Sequence, residues 1–405
     1  MIVMNKVAPI ECSLVPFLMW QLLHTYCYMF NQFSHLPYDF SLRRKTLIVK
    51  KDSIKGKIIS TSSFTWLFAQ SMTCGCFLSW KLFTKSNYRI TNQDMEMIEK
   101  LRIFANIYYA ILTVAMTGMS ATIAFHPNVI ATIVNRIVKF EDKLKVNWNA
   151  KATTRRSPMW IQNVLIFLLR GTIIPAILIG PGLAIINMHP LNIWLKSDYI
   201  MLNLILKPIT ICLSYCLSIE LTKSALAFLI MGLIVMKSVS KGATILREMF
   251  KFKILRGRMI IPLSEIRIYR EFQIWNQQIN AAFGYRSVPP LVFCGVCITT
   301  CSLYGTIRMY VSLPIFVYPL LPLTTMLSVI FQFTLLPQAA EGFEKSVDFI
   351  AFVRRKCNVN YFRKVARSLR PLGLRCGPFG IISNTWTVRI WSTVSDFTVT
   401  LLLTL

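Results

Sequence analysis

The sequence predicts an all-α membrane protein: seven transmembrane helices, with the N-terminus in the cytoplasm and the C-terminus outside the cell. Three observations predict it. Of 405 residues, 54% are hydrophobic and only 15% are charged, too little charge for a soluble chain of this length. Several apolar stretches exceed the roughly 18 residues that a membrane helix needs. The basic residues, finally, are concentrated in alternate loops.

Residues 1–57 form an N-terminal cytoplasmic segment. Within it, Leu14 to Phe33 is apolar and aromatic but broken by Pro16, Gln21, His24, Asn31 and Gln32, which predicts an interfacial helix rather than a span. Only Lys6 precedes it and no small-residue cleavage site follows, so it does not read as a signal peptide. LPYDF (Leu36 to Phe40) then leads into a basic run from Arg43 to Lys57.

Spans one to four occupy residues 58–236. The first is Ile58 to Trp80, with Ser/Thr-rich opening turns, and the second is Ile103 to Phe125. The third, Trp160 to Ile186, is broken at Pro175 and at Gly180-Pro181-Gly182; the fourth, Pro208 to Met236, is longer than a bilayer requires. A cytoplasmic loop, 237–290, carries SEIRIYREFQIWNQQIN (Ser264 to Asn280). Its aromatic and aliphatic residues fall near helical spacing, predicting an amphipathic extension that lies on the membrane or bundles with other subunits. Spans five and six (Leu291 to Ile307 and Leu313 to Ala339) fill 291–339, the latter punctuated by proline. Neighbouring helices re-satisfy the carbonyls that such prolines free. A basic loop, 340–385, precedes the last span, 386–405.

Orientation follows from the loops. Those on the N-terminal side hold 34 Lys and Arg, those on the other side 8, which places the N-terminus in the cytoplasm. This is the reverse of a G-protein-coupled receptor, and neither Asp-Arg-Tyr after span three nor Asn-Pro-x-x-Tyr in span seven is present. The net charge of +28 therefore serves orientation and contact with anionic membrane lipid, not nucleic acid.

The last span is WTVRIWSTVSDFTVTLLLTL. Arg389, Thr393, Asp396, Thr400 and Thr404 recur at steps of four, three, four and four, one face of a helix. Such a stripe must pack against other helices or line a water-filled path. Asp396 is the sharpest member. It either pairs with Arg389 inside one subunit or joins an acidic, cation-attracting ring in an oligomer.

Two further constellations stand out. Arg170 lies about 15 Å into span three and Glu220 about 18 Å into span four at the usual helical rise, so both sit near the midplane. Glu220 is expected to pair with Arg170, or with Lys223 one turn on, as a pair that fixes helix register. Tyr108, Tyr109, Ser214, Tyr215, Ser218, Tyr304 and Tyr318 occupy outer halves of spans. They suit a small organic ligand needing apolar surface and a few hydrogen bonds, although each alone is more often packing.

Seven spans, a cytoplasmic N-terminus, a basic sixth loop and a final span ending the chain resemble the arthropod gustatory receptor family. That family is grouped with the insect olfactory receptors in a superfamily of ligand-gated cation channels. LPYDF, YREFQIWNQQIN (Tyr269 to Asn280) and GPFGIISNTW (Gly377 to Trp386) are similar to it as well. The family's signature in its last helix is Thr-Tyr, five apolar residues and Gln-Phe. Here Phe397-Thr398, VTLLL and Thr404-Leu405 take that frame with no identity at the four signature positions, which bears on selectivity and gating more than on fold. The resemblance implies a homo- or heterotetramer of related subunits around one pore lined by the last helix. It also implies a small-molecule tastant bound in the outer half of each subunit, in the plasma membrane of sensory neurons.

No enzyme is indicated. The four histidines do not fall at H-E-x-x-H spacing, and no phosphate loop or Gly-x-Ser-x-Gly elbow occurs. The eleven cysteines do not fall at zinc spacing, so neither metal nor cofactor is expected. A secondary transporter is the alternative, because broken spans and midplane charges mark those folds too. No inverted repeat is evident in support of it.

Overall fold

In the computed structural model the described residues are 13–50, 54–84, 93–148, 180–185, 189, 191–194, 200–255, 263–310, 318–356 and 360–404. Helices dominate. The first, α1 (Phe17–Phe33), follows Pro16 and buries Leu18, Trp20, Leu22, Leu23, Tyr26 and Cys27 within the chain. Its neighbours there are a hairpin that the all-α expectation did not contain and the long helix Ile200–Leu255.

The hairpin pairs β1 (Tyr38–Ser41) antiparallel with β2 (Thr46–Val49), in the register Tyr38↔Val49 to Ser41↔Thr46. The turn between them holds the start of the basic run, and Lys45 takes a positive φ of 52° there. A two-stranded ribbon is marginal alone, and contacts to α1 and to the helix Pro127–Trp148 hold this one. Phe40 stacks on Trp20 at 5.8 Å. Asn135 receives the Leu47 N–H at 2.8 Å and donates to the Leu47 carbonyl at 2.9 Å.

Next come α2 (Ile54–Thr84), α3 (Gln93–Phe125) and α4 (Pro127–Trp148). Pro127 opens α4 where its missing N–H costs nothing. A single turn, Leu191–Trp194, precedes α5 (Ile200–Leu255), whose 56 residues extend about 84 Å at helical rise. This helix runs straight through position 236, so span four and the start of the following loop are one rod. Next, α6 (Leu263–Ile279) ends in a π-helical turn, Asn280–Gly284. After it stand α7 (Val288–Arg308), α8 (Leu320–Lys356), α9 (Asn360–Ser368) and α10 (Asn384–Thr404).

Four of the described helices are long and apolar enough to cross a membrane: Arg102–Phe125, Leu202–Ile254, Val288–Arg308 and Leu320–Lys356. Serine and threonine dilute α2, the polar stripe dilutes α10, and most of the expected third span lies outside the described residues.

The far ends of α4, α5 and α8 pack with α6 as a continuation of the same core. Phe140 stacks on Phe272 at 4.2 Å, and Tyr269 meets Phe349 at 4.8 Å. Trp275 donates its indole N–H to the Ile133 carbonyl at 3.1 Å. The aromatic face of α6 is thus covered by its own chain. The amphipathic spacing expected of Ser264 to Asn280 falls on this helix, and its aromatic face packs against α4, α5 and α8 of the same chain.

Candidate functional site

The segment before α10 is built to aim it. Gly377 and Gly380 have φ of 53° and 96°, values that glycine adopts without steric penalty. They fold residues 375–381 into a tight loop closed by the Arg375–Ile381 bridge and by Cys376 N–H to Gly380 O at 2.8 Å. Asn280 holds this loop from the π turn, donating to Gly373 O at 2.9 Å and accepting the Arg375 N–H at 2.9 Å. Asn276 adds a bond to Gly373 O at 3.1 Å, and Ser346 both donates to and accepts from the Leu372 backbone. Asn276, Asn280, Gly377 and Gly380 lie in the two motifs quoted for the resemblance, but their meeting in one clamp, and the part of Ser346 in it, had no signal in the sequence.

Beyond the clamp, α10 buries Ile390, Val394 and Thr398 against α7 and α8. Arg389, Asp396, Thr400 and Thr404 are exposed, with Thr393 half-buried, and Val388, Val399 and Leu403 are exposed beside them. Thr393, Thr400 and Thr404 donate to the carbonyls one turn back, as hydroxyls in apolar helices do. Ser392 approaches Asp396 at 3.4 Å. Among the described residues no cation pairs with Asp396, so the structure does not bring Arg389 and Asp396 together. The polar stripe faces away from the helices of its own chain.

A buried charged cluster lies where α1 and α3 cross α5. Lys223 Nζ stands 2.5 Å from Glu220 Oε2, with Lys223 1% and Glu220 4% exposed. Ser120 donates to the other carboxylate oxygen at 2.7 Å. Lys223 reaches the Ser34 hydroxyl at 3.4 Å, and Tyr26 donates to the Lys223 carbonyl at 3.1 Å. Arg170 lies outside the described residues. Tyr26, Ser34 and Ser120 come from distant parts of the sequence and carried no local signal.

At the end of the bundle opposite α6, the aromatic set is dispersed. Tyr109 is buried edge-on against His189 at 4.9 Å. Tyr318 donates to Thr306 O at 3.1 Å, while Tyr108, Tyr215 and Tyr304 are half-buried. Ser214 and Ser218 sit under Gly180, where an added Cβ would fall 2.1 Å from Ser218 Oγ. They form a close helix crossing. His189, not singled out beforehand, is 1% exposed. Its Nδ1 accepts the Leu191 N–H at 3.2 Å, and burial lowers its pKa to about 4.

Set against solved structures, the chain matches an insect olfactory receptor, OR5 of Machilis hrabei. The match has a TM-score of 0.64 at 11% identity, covering 95% of this chain and 96% of that one. The same receptor in complex with eugenol matches with a TM-score of 0.63 over the same shares. The fold is that of an insect olfactory receptor. No family model matches the sequence, and no curated protein does. The fold likeness thus stands at an identity too low for a sequence comparison to detect. Both matched structures are receptors, not enzymes, and with its long apolar helices the chain is a multi-pass membrane protein.

Proposed function

We propose that this protein is a chemosensory receptor subunit, a gustatory one, that assembles as a homo- or heterotetramer into a ligand-gated cation channel of the plasma membrane. One observation carries the reading: α10 buries Ile390, Val394 and Thr398 in its own bundle and leaves Arg389, Asp396, Thr400 and Thr404 exposed, beside exposed Val388, Phe397, Val399 and Leu403. A carboxylate and a guanidinium turned toward lipid are costly. Copies of α10 around a water-filled path remove that cost and set a ring of Asp396 carboxylates along it. Seven spans with α6 and α9 in the cytoplasm agree with the loop charges. The small-molecule tastant binds at the opposite end, near Tyr109 and His189. The eugenol complex of the matched receptor supports a small organic ligand. A ligand that binds the open arrangement better shifts the population toward it.

The test is heterologous expression of the full chain with current recording during application of sugars, bitter compounds and volatiles. Ligand-evoked current that persists when G-protein signalling is blocked is the expected result, and Asp396→Asn lowers cation over anion permeability. Solute uptake without current favours a transporter instead, and normal selectivity in Asp396→Asn removes the acidic ring.

A further inference from the structure

A cavity of about 230 Å³ lies between α3, α5, α7 and α8, nearer the α6 end than the tyrosines of the opposite end, none of which lines it. Leu374, Ile382 and Ile390 close it beneath α10. Its wall is almost wholly apolar, and of the few polar groups there only Gln332 Oε1 has no partner. Thr299 donates to Gly295 O at 2.8 Å and lies 2.5 Å from Ser328 Oγ. Gln332 gives its Nε2–H to Thr299 at 2.8 Å, and Thr324 donates to Leu320 O. Water needs two to four polar partners to occupy a cavity; this wall offers one, the Gln332 Oε1 acceptor, which is too few. The cavity is therefore dry.

A dry cavity is an apolar binding site. An engineered 150 Å³ cavity lined by aliphatic and aromatic residues takes up benzene, and by that ratio this one holds about nine heavy atoms. A second void of about 40 Å³ shares Phe228, Met236, Val288 and Leu374 with it. Methionine side chains adapt readily, so Met236 can merge the two spaces for a longer guest. We infer that this cavity is a second binding site, for a small uncharged hydrocarbon such as an alkylbenzene or a monoterpene hydrocarbon, reached through the membrane. It is separate from the site near Tyr109 and His189 and does not rest on the channel reading, since occupancy can be read without current. Ile390 belongs to α10, so a guest touches the last helix directly.

The experiment uses the full chain in phosphatidylcholine nanodiscs and follows the thermal unfolding midpoint against free propylbenzene. Partition into lipid is the same for every variant, so differences between variants isolate the site. Propylbenzene raises the wild-type midpoint, reaching half effect at about fourfold lower free concentration than ethylbenzene, the factor for one buried methylene. Ala225→Phe, which fills the cavity, abolishes the rise. Phe228→Ala, which enlarges it, shifts the preference to hexylbenzene. Both variants must respond in these opposite senses. An equal rise in wild type and Ala225→Phe means that the hydrocarbon acts through the bilayer and overturns the site. A larger rise with 4-propylphenol overturns the apolar class. No rise in wild type, as when a lipid acyl chain already fills the space, overturns a site for free ligand.

Discussion

Asn280 is the residue whose removal most directly tests how α10 is held. Its amide joins the π turn to the loop ahead of that helix by two bonds of 2.9 Å, one given to Gly373 O and one taken from Arg375 N–H. In Asn280→Ala the Gly373 carbonyl keeps Asn276 at 3.1 Å, whereas the Arg375 amide is left with no acceptor. The Arg375 donor is only part-buried, so orphaning it costs about 1 kcal/mol, the low end for such a loss, and the lost bond with a surviving alternative about 1 kcal/mol more, so the variant should be destabilised by about 2 kcal/mol. A loss of 2 kcal/mol speeds amide exchange about thirtyfold where exchange follows opening. Hydrogen exchange of detergent-solubilised protein, read at Arg375 and Cys376, is the assay. Asn280→Asp keeps the acceptor for Arg375 but sets a carboxylate against Gly373 O, so protection at Arg375 falls less than in the alanine variant. If exchange at Arg375 in Asn280→Ala stays within threefold of wild type, the clamp does not hold the loop and the reasoning fails.

Three further outcomes follow from the same geometry. Lys223→Met should cost about 3–5 kcal/mol by stranding the buried Glu220 carboxylate, while Glu220→Leu with Lys223→Met recovers most of it; unfolding midpoints decide, and equal losses in both would mean that packing rather than charge is at stake. Gly118→Ala should cost about 1–3 kcal/mol, because the new Cβ would lie 2.2 Å from the Arg286 carbonyl oxygen, seen as a lower midpoint and poor surface expression. His189 is held neutral with a pKa near 4, below the usual 6.5. The stabilisation is complete above pH 6.5 and is lost as pH falls toward 4, by about 3 kcal/mol in all. His189→Phe should flatten that slope; a slope unchanged in the variant assigns it to other groups.

Periodicity alone separated the two faces of α10, because a four-residue step in hydroxyls survives whatever surrounds the helix. The apolar spacing of Tyr269, Phe272 and Ile279 likewise marked α6, but nothing local says that Phe140, more than a hundred residues earlier, is what covers it. The same limit governs the charged cluster. Spacing allowed Glu220 to meet Lys223, but Ser34, Tyr26 and Ser120 are brought to it by helix packing. The hairpin was hidden for another reason. Arg43, Arg44 and Lys45 read as a charge run, and the pairing of Leu47 depends on Asn135 in another helix. A cavity has no residue of its own, so the space beneath Ile390 had no sequence signal.

The contact between Tyr26 and Lys223 spans 197 positions, and that between Leu47 and Asn135 spans 88. During synthesis the first helix therefore emerges well before the surfaces that cover it exist. At ordinary translation rates the wait for Lys223 is about 10–40 s. Throughout that interval α1 has only the hairpin, through Phe40 on Trp20, against its greasy side, and a chaperone or the insertion machinery must shield the rest until the long rod is threaded.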